Sequence, residues 1–188
     1  MSLPKENQVK RMESDSYVEG YATTFEPYVL FNLADGTPIY EVVDRHAFDN
    51  ADMSDVVLRY DHEGPVYART TNNTLGLDVT DKGLFCYADL SKTKRSKELY
   101  EDISAGNITK MSIECTVDRD FDDATDTFII RKVKRLIDVS AVGVPANDDT
   151  SLMARDFEKA IKEQEEHAKT EHERKRKMLE LKLELGGY

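Results

Sequence analysis

The chain has 188 residues, 39% hydrophobic and 34% charged, with a formal net charge of −11. That balance suits one domain plus a polar appendage rather than a core running through the whole chain. Acidity of this size excludes general binding to a phosphate backbone, and two cysteines are too few for a disulfide framework or a Cys-rich zinc site.

The charge is uneven. Residues 154–188 carry nine basic and nine acidic side chains, so the whole excess lies in residues 1–153. A globular part this acidic tolerates a basic protein partner. Cys86 and Cys115 lie in apolar, strand-like segments and read as buried free thiols in a reducing compartment. The first residues lack an apolar h-region, and no run approaches about 18 apolar residues, so neither a signal peptide nor a membrane span is expected.

In chain order, residues 1–14 are polar and form a flexible N-terminus. Strand alternation begins at Tyr17 and runs to Thr24, with Gly20 marking a bulge or a close backbone approach. Turn chemistry at Asn32–Gly36 precedes a strand at Ile39–Val43. Arg45 to Met53 reads as a short helix, and Val56–Tyr60 as a buried strand. Asn72-Asn73 turns into a strand at Leu75–Val79. Asp81-Lys82-Gly83 turns into another at Leu84–Leu90.

Thr93 to Ala105 has helical spacing, Leu99 and Ile103 four apart, and Gly106-Asn107 stops it. Ile108–Val117 is a strand, Phe121–Asp126 an acidic turn, Phe128–Leu136 a strand, and Ile137–Val144 a last apolar strand before Pro145. Beyond Ser151 a long charged helix is expected, with Phe157, Ala160, Ile161 and Ala168 on one face. Its end, Leu179–Leu185, alternates as a strand does, in conflict with the helix propensity of Leu, Glu and Lys. The expected organisation is a flexible stretch 1–14, a domain 15–153 and a helical tail 154–188. The fold class is mostly β with α, an antiparallel barrel or sandwich with helices outside.

Three strand-like segments each hold one chemically capable residue: His62, Ser112 and Asp138. A serine hydroxyl attacks a carbonyl only if a base takes its proton as the bond forms. His62, at the end of the Val56–Tyr60 run, is the candidate base; a structural histidine bonded to Asp61 is the alternative. His46 is a weak substitute, and His167 and His172 belong to the charged tail. Asp138 between Ile137 and Val139 needs a partner, either Arg135 or the N–H of His62. Cys115 is a rival nucleophile, but its parity differs from that of Ser112, so the two face opposite sides of a regular strand. The sequence holds no phosphate loop, no His-Glu-x-x-His and no Cys-x-x-Cys, so no cofactor and no metal is expected.

From Tyr17 to Ser151 the chain resembles the caudovirus prohead maturation protease family. The matching pieces are Gly20-Tyr21-Ala22, Ala47-Phe48, His62 after an apolar run, Gly83-Leu84, Ser112-Ile113 after a helix, and Asp138-Val139-Ser140 leading to Pro145-Ala146-Asn147. The resemblance implies an assemblin-like β-barrel flanked by helices, and a serine endopeptidase that matures tailed-phage capsids. Ser112 would be its nucleophile, His62 its base and Asp138 its acid. It implies phage capsid and scaffold proteins as partners, cleavage of and association with itself, and action inside the assembling procapsid in the host cytoplasm. From the charge and the lack of a long apolar run, neither nucleic-acid nor membrane partners are expected.

Glu114 and Cys115 depart from the glycine and aromatic common after Ser-Ile in that family. Under the resemblance, the tail is a propeptide or an autoinhibitory or shell-directing segment. Two other functions fit the same residues: a non-catalytic capsid scaffold or assembly protein, and an esterase without peptide cleavage.

Overall fold

The computed structural model describes residues 10–155 continuously, and beyond them residues 162, 166, 169, 170, 173, 174 and 176–178. Within residues 10–155, ten strands and one α-helix form in chain order, with a short 3-10 helix at Thr70–Asn72. They are β1 (Tyr17–Thr24), β2 (Tyr28–Asn32), β3 (Pro38–Val43), β4 (Val57–Tyr60), β5 (Glu63–Arg69), β6 (Leu75–Val79), β7 (Gly83–Asp89), α1 (Lys94–Ser104), β8 (Lys110–Asp122), β9 (Thr127–Val142) and β10 (Met153–Ala154).

The strands make two sheets. The first has the order β10-β1-β7-β6 and is antiparallel throughout. The second is organised by β9. Strand β8 pairs antiparallel along its full length, while β3 and β4 pair parallel with its two ends, at residues 127–130 and 138–141. Both therefore occupy the edge opposite β8. Strands β2 and β5 complete the sheet outside β3 and β4.

One core fills the space between the sheets. Val18, Ala22, Leu84, Cys86 and Ala88 meet Val43, Leu58, Met111, Val139 and Ala141 there, and α1 adds Leu99 and Ile103. On the other face of the first sheet, Tyr17, Tyr21, Phe85 and Tyr87 form a smaller aromatic cluster. Buried Glu19 of β1 is neutralised by Arg11 at 2.7 Å and Arg155 at 3.3 Å, which such a charge requires.

The expected closed barrel is not formed. No ladder joins the two sheets among the described residues, and β10 and β6 end the first sheet while β8, β2 and β5 are edges of the second, so the architecture is two open sheets. One α-helix, α1, flanks them within residues 10–155. Thr93 caps it by accepting from Ser96 N–H, as expected of a threonine just before a helix.

Gly20 makes the close backbone approach. A Cβ there would lie 1.8 Å from the Ser151 carbonyl oxygen. The bulge in β1 falls one turn of pleat later, between Tyr21 and Thr23.

Three expectations fail for identifiable reasons. Arg45–Met53 is a chain of turns and no helix, because its backbone groups serve the edge of β9. Val133 N–H donates to Ala47 O (2.8 Å), Asp52 N–H to Lys134 O (2.9 Å), and Leu136 N–H to Asp52 O (3.0 Å). This segment fills the gap between β3 and β4. The two strands expected at Phe128–Leu136 and Ile137–Val144 are one strand, β9, with a bulge where the break was expected: Glu114 pairs with Asp138 and Cys115 with Leu136, so Ile137 is unpaired.

Strand β5 runs through Gly64 and Pro65, where glycine and proline chemistry would by itself favour a turn. Pro65 is accommodated because β5 is an edge strand. The long charged C-terminal helix is not supported: 156–161, most later residues and the Leu179–Leu185 segment lie outside the described residues. Among the described residues, no helix is long and apolar enough to cross a membrane.

Candidate active site

Strands β4 and β5 form a tight hairpin with Tyr60 opposite Glu63. Its two loop residues, Asp61 and His62, both have positive φ, 47° and 61°. That is the geometry of the hairpin turn that follows the natural strand twist, usually built with Asn-Gly or Asp-Gly. Here a histidine takes the glycine position. Left-handed backbone at a non-glycine residue is mildly strained and gathers at functional sites. The turn is clamped over the end of β9: Asp61 N–H donates to Ala141 O (2.9 Å), and Gly143 N–H to Asp61 Oδ1 (3.1 Å).

The clamp lays the His62 ring over Asp138 and Ser140. His62 N–H donates to Ser140 Oγ (3.1 Å), Ser140 Oγ–H donates to Asp138 Oδ1 (3.0 Å), and His62 Nδ1 lies 2.8 Å from the same oxygen. Asp138 and Ser140 are fully buried, while the His62 side chain is 31% exposed. With a carboxylate against it, Nδ1 carries the proton, and Nε2 is left with its lone pair free to accept one. The alternative partners are occupied elsewhere. Arg135 lies 3.9 Å from Asp52, and Asp61 accepts from Gly143.

The Ile137 bulge makes this possible. Leu136 and Asp138 have the same parity, yet Leu136 packs in the core and Asp138 pairs with Glu114 on the opposite face. Bulges next to functional sites re-aim side chains in this way. On that face, Ser112 and Glu114 of β8 stand directly opposite Ser140 and Asp138, and Arg59 of β4 flanks Ser140 on the other side.

Ser112 is half-buried, and its hydroxyl makes no hydrogen bond among the described residues. It therefore neighbours the His62–Asp138 pair through Ser140 and is not bonded to the ring. Beside it, a groove of about 300 Å³ follows β8, bordered by Ala22 and Thr23 of β1 and by Asn147 and Thr150.

Met111, Ile113, Cys115 and Val117 turn to the core side of β8, so the parity expected for Cys115 holds. Burial pushes its thiol up to about 11, which leaves it protonated and a poor nucleophile at neutral pH. His46 is exposed and bonded to Asp49 at 3.1 Å. His167 and His172 lie outside the described residues.

Two contributors went unread in the sequence. Ser140 received no role, although its place two residues after Asp138 puts it on the same face. Arg59, whose Nε is buried without a partner, reads in the sequence only as part of the buried strand Val56–Tyr60.

A histidine held by a buried acid beside a strand serine is the arrangement of a serine hydrolase. The family model for caudovirus prohead serine proteases matches residues 5–174. The chain belongs to that family. No curated protein and no solved structure matches it.

As a prohead serine protease the chain is a serine peptidase of tailed-phage assembly, which implies contact with phage capsid proteins inside the procapsid. Among the described residues, His62, Glu114 and Asp138 form the one cluster that could offer three ligands to a metal ion, with one polar atom each within 4.8 Å of one another. The imidazole nitrogen and one oxygen of Asp138 in that cluster already bond to each other.

Proposed function

We propose that the protein is an endopeptidase that cleaves capsid and scaffold proteins, and its own tail, during prohead maturation. Ser112 is the nucleophile, His62 the general base and Asp138 the acid that orients it. In acylation Ser112 Oγ attacks the scissile carbonyl carbon as His62 Nε2 takes the hydroxyl proton. Collapse of the tetrahedral intermediate breaks the C–N bond, and the same proton goes to the leaving amine. Water, activated by His62 in turn, hydrolyses the ester and restores the serine. Asp138 stays ionised and stabilises the imidazolium that forms twice in each cycle.

The observation that carries this reading is the 2.8 Å contact from His62 Nδ1 to a fully buried carboxylate, on the strand whose next site-facing residue, Ser140, is the register partner of Ser112. The relay requires Ser112, whose hydroxyl is unbonded, to turn toward Nε2, and catalytic hydrogen bonds often tighten only when substrate binds. The groove along the outer edge of β8 supports an extended substrate.

The test is incubation of the purified protein, alone and with capsid and scaffold proteins, followed by mass spectrometry. Fragments are expected that are absent with Ser112→Ala and with His62→Ala. The same fragments from Ser112→Ala protein would overturn the assignment.

A further inference from the structure

Asp138 presents two carboxylate oxygens, and they are treated differently. Oδ1 accepts two hydrogen bonds, from His62 Nδ1–H and from Ser140 Oγ–H. Oδ2 is equally buried and has no donor among the described residues. A buried carboxylate oxygen without a donor is costly. Directly across the β8–β9 ladder stands Glu114, whose side chain reaches within 4.8 Å of both His62 and Asp138. Two carboxyl groups that meet in this way cannot both be ionised without repulsion.

We propose that Glu114 is a positioning residue of the triad: its neutral carboxyl donates a hydrogen bond to Asp138 Oδ2 and thereby keeps Oδ1 on the imidazole. This rests on the roles given above to His62 and Asp138. The charged groups that face Glu114 come from three elements. Asp138 of β9, the hydrogen-bonding group that its carboxyl faces, raises its pKa above the ordinary carboxylate value; desolvation and the charge of Asp138 add to the rise. His62 of the turn and Arg59 of β4 pull the other way. The rise wins.

The sign follows. Below the raised pKa, Glu114 holds its proton and Asp138 is fully bonded. As pH rises through it, the donor is lost, two anions face each other, and the hold on His62 loosens. Activity should therefore fall on the alkaline side through an ionisation that belongs to Glu114.

The experiment has two arms. In kinetics with a peptide substrate, Glu114→Ala should lower kcat about tenfold to a hundredfold with little change in KM. Glu114→Gln, whose amide still donates, should keep most of kcat and lose the alkaline ionisation. Equal damage from both variants, or an alkaline limb that persists in Glu114→Gln, would overturn the proposal. So would loss of wild-type activity in EDTA, because a cation would then be what satisfies Oδ2.

In the second arm, carbon-13 carboxyl NMR follows Glu114 in the Ser112→Ala protein. Its midpoint should be elevated and should return to the ordinary range when Asp138→Asn is added; an ordinary midpoint in both proteins would overturn the proposal. This arm needs no turnover, so it separates failure of the inference from failure of the protease reading.

Discussion

The two faces of the β8–β9 ribbon are built from alternating residues of the same strands and do different things. On one face Met111, Ile113, Cys115, Val139 and Ala141 pack into the core between the sheets. On the other stand Ser112, Glu114, Asp138 and Ser140. Both faces exclude water at Asp138 to Ala141, but by different means. The core face is covered by a whole second sheet, the site face by a two-residue turn and one imidazole ring. Apolar burial therefore supplies stability on one side, while satisfied hydrogen bonds fix geometry on the other. Substitutions on the two sides should separate into stability effects and rate effects.

The largest effect should come from Ser112→Ala. Peptide cleavage should fall by roughly a thousandfold or more, with the denaturation midpoint unchanged because the hydroxyl has no bond to lose. Next is Met111→Ala, one residue away but fully buried on the core face. It should destabilise by about 2–5 kcal/mol in urea unfolding while kcat of the folded fraction stays near wild type. If it abolishes kcat in folded protein, the separation of faces fails.

Ser140→Ala should do some of each. It removes the acceptor of His62 N–H and one donor to Asp138, with a cost of about 1–3 kcal/mol and a drop in kcat of about tenfold. The last prediction leaves the wild-type chain unchanged and concerns Cys115. With its thiol at about 11, alkylation at pH 8 should be on the order of a hundredfold slower than for a free cysteine. It should speed up as pH rises toward that value. Fast alkylation at pH 8 would mean that the core face opens there.

Much of this was legible in the sequence, residue by residue. The parity of Ser112 and Glu114 against Cys115 separates the two faces of β8 as the structure has them. Gly20 announced a close backbone approach, though not that Ser151 makes it, and the helix expected at Thr93–Ala105 is α1 with its two caps. What stayed hidden depended on partners distant in the chain.

The helix expected at Arg45–Met53 is overridden by the open edge of β9, which takes those backbone groups. The bulge at Ile137 has no local sequence mark beyond a run of mixed residues, yet it turns Asp138 out of the core. Glu114 could be placed on the face of Ser112 by parity. That it meets Asp138 depends on register, which a single chain does not print. The barrel failed for the same reason: short alternating strands give no information on whether the last ladder closes.

The central claim, that the His62–Asp138 pair activates Ser112, is most directly tested with a fluorophosphonate that labels only activated serines. Mass spectrometry of the labelled protein should find one adduct, on Ser112, that is lost in His62→Ala and formed far more slowly in Asp138→Asn. Labelling that is undiminished in His62→Ala, or an adduct on another residue, would contradict the account.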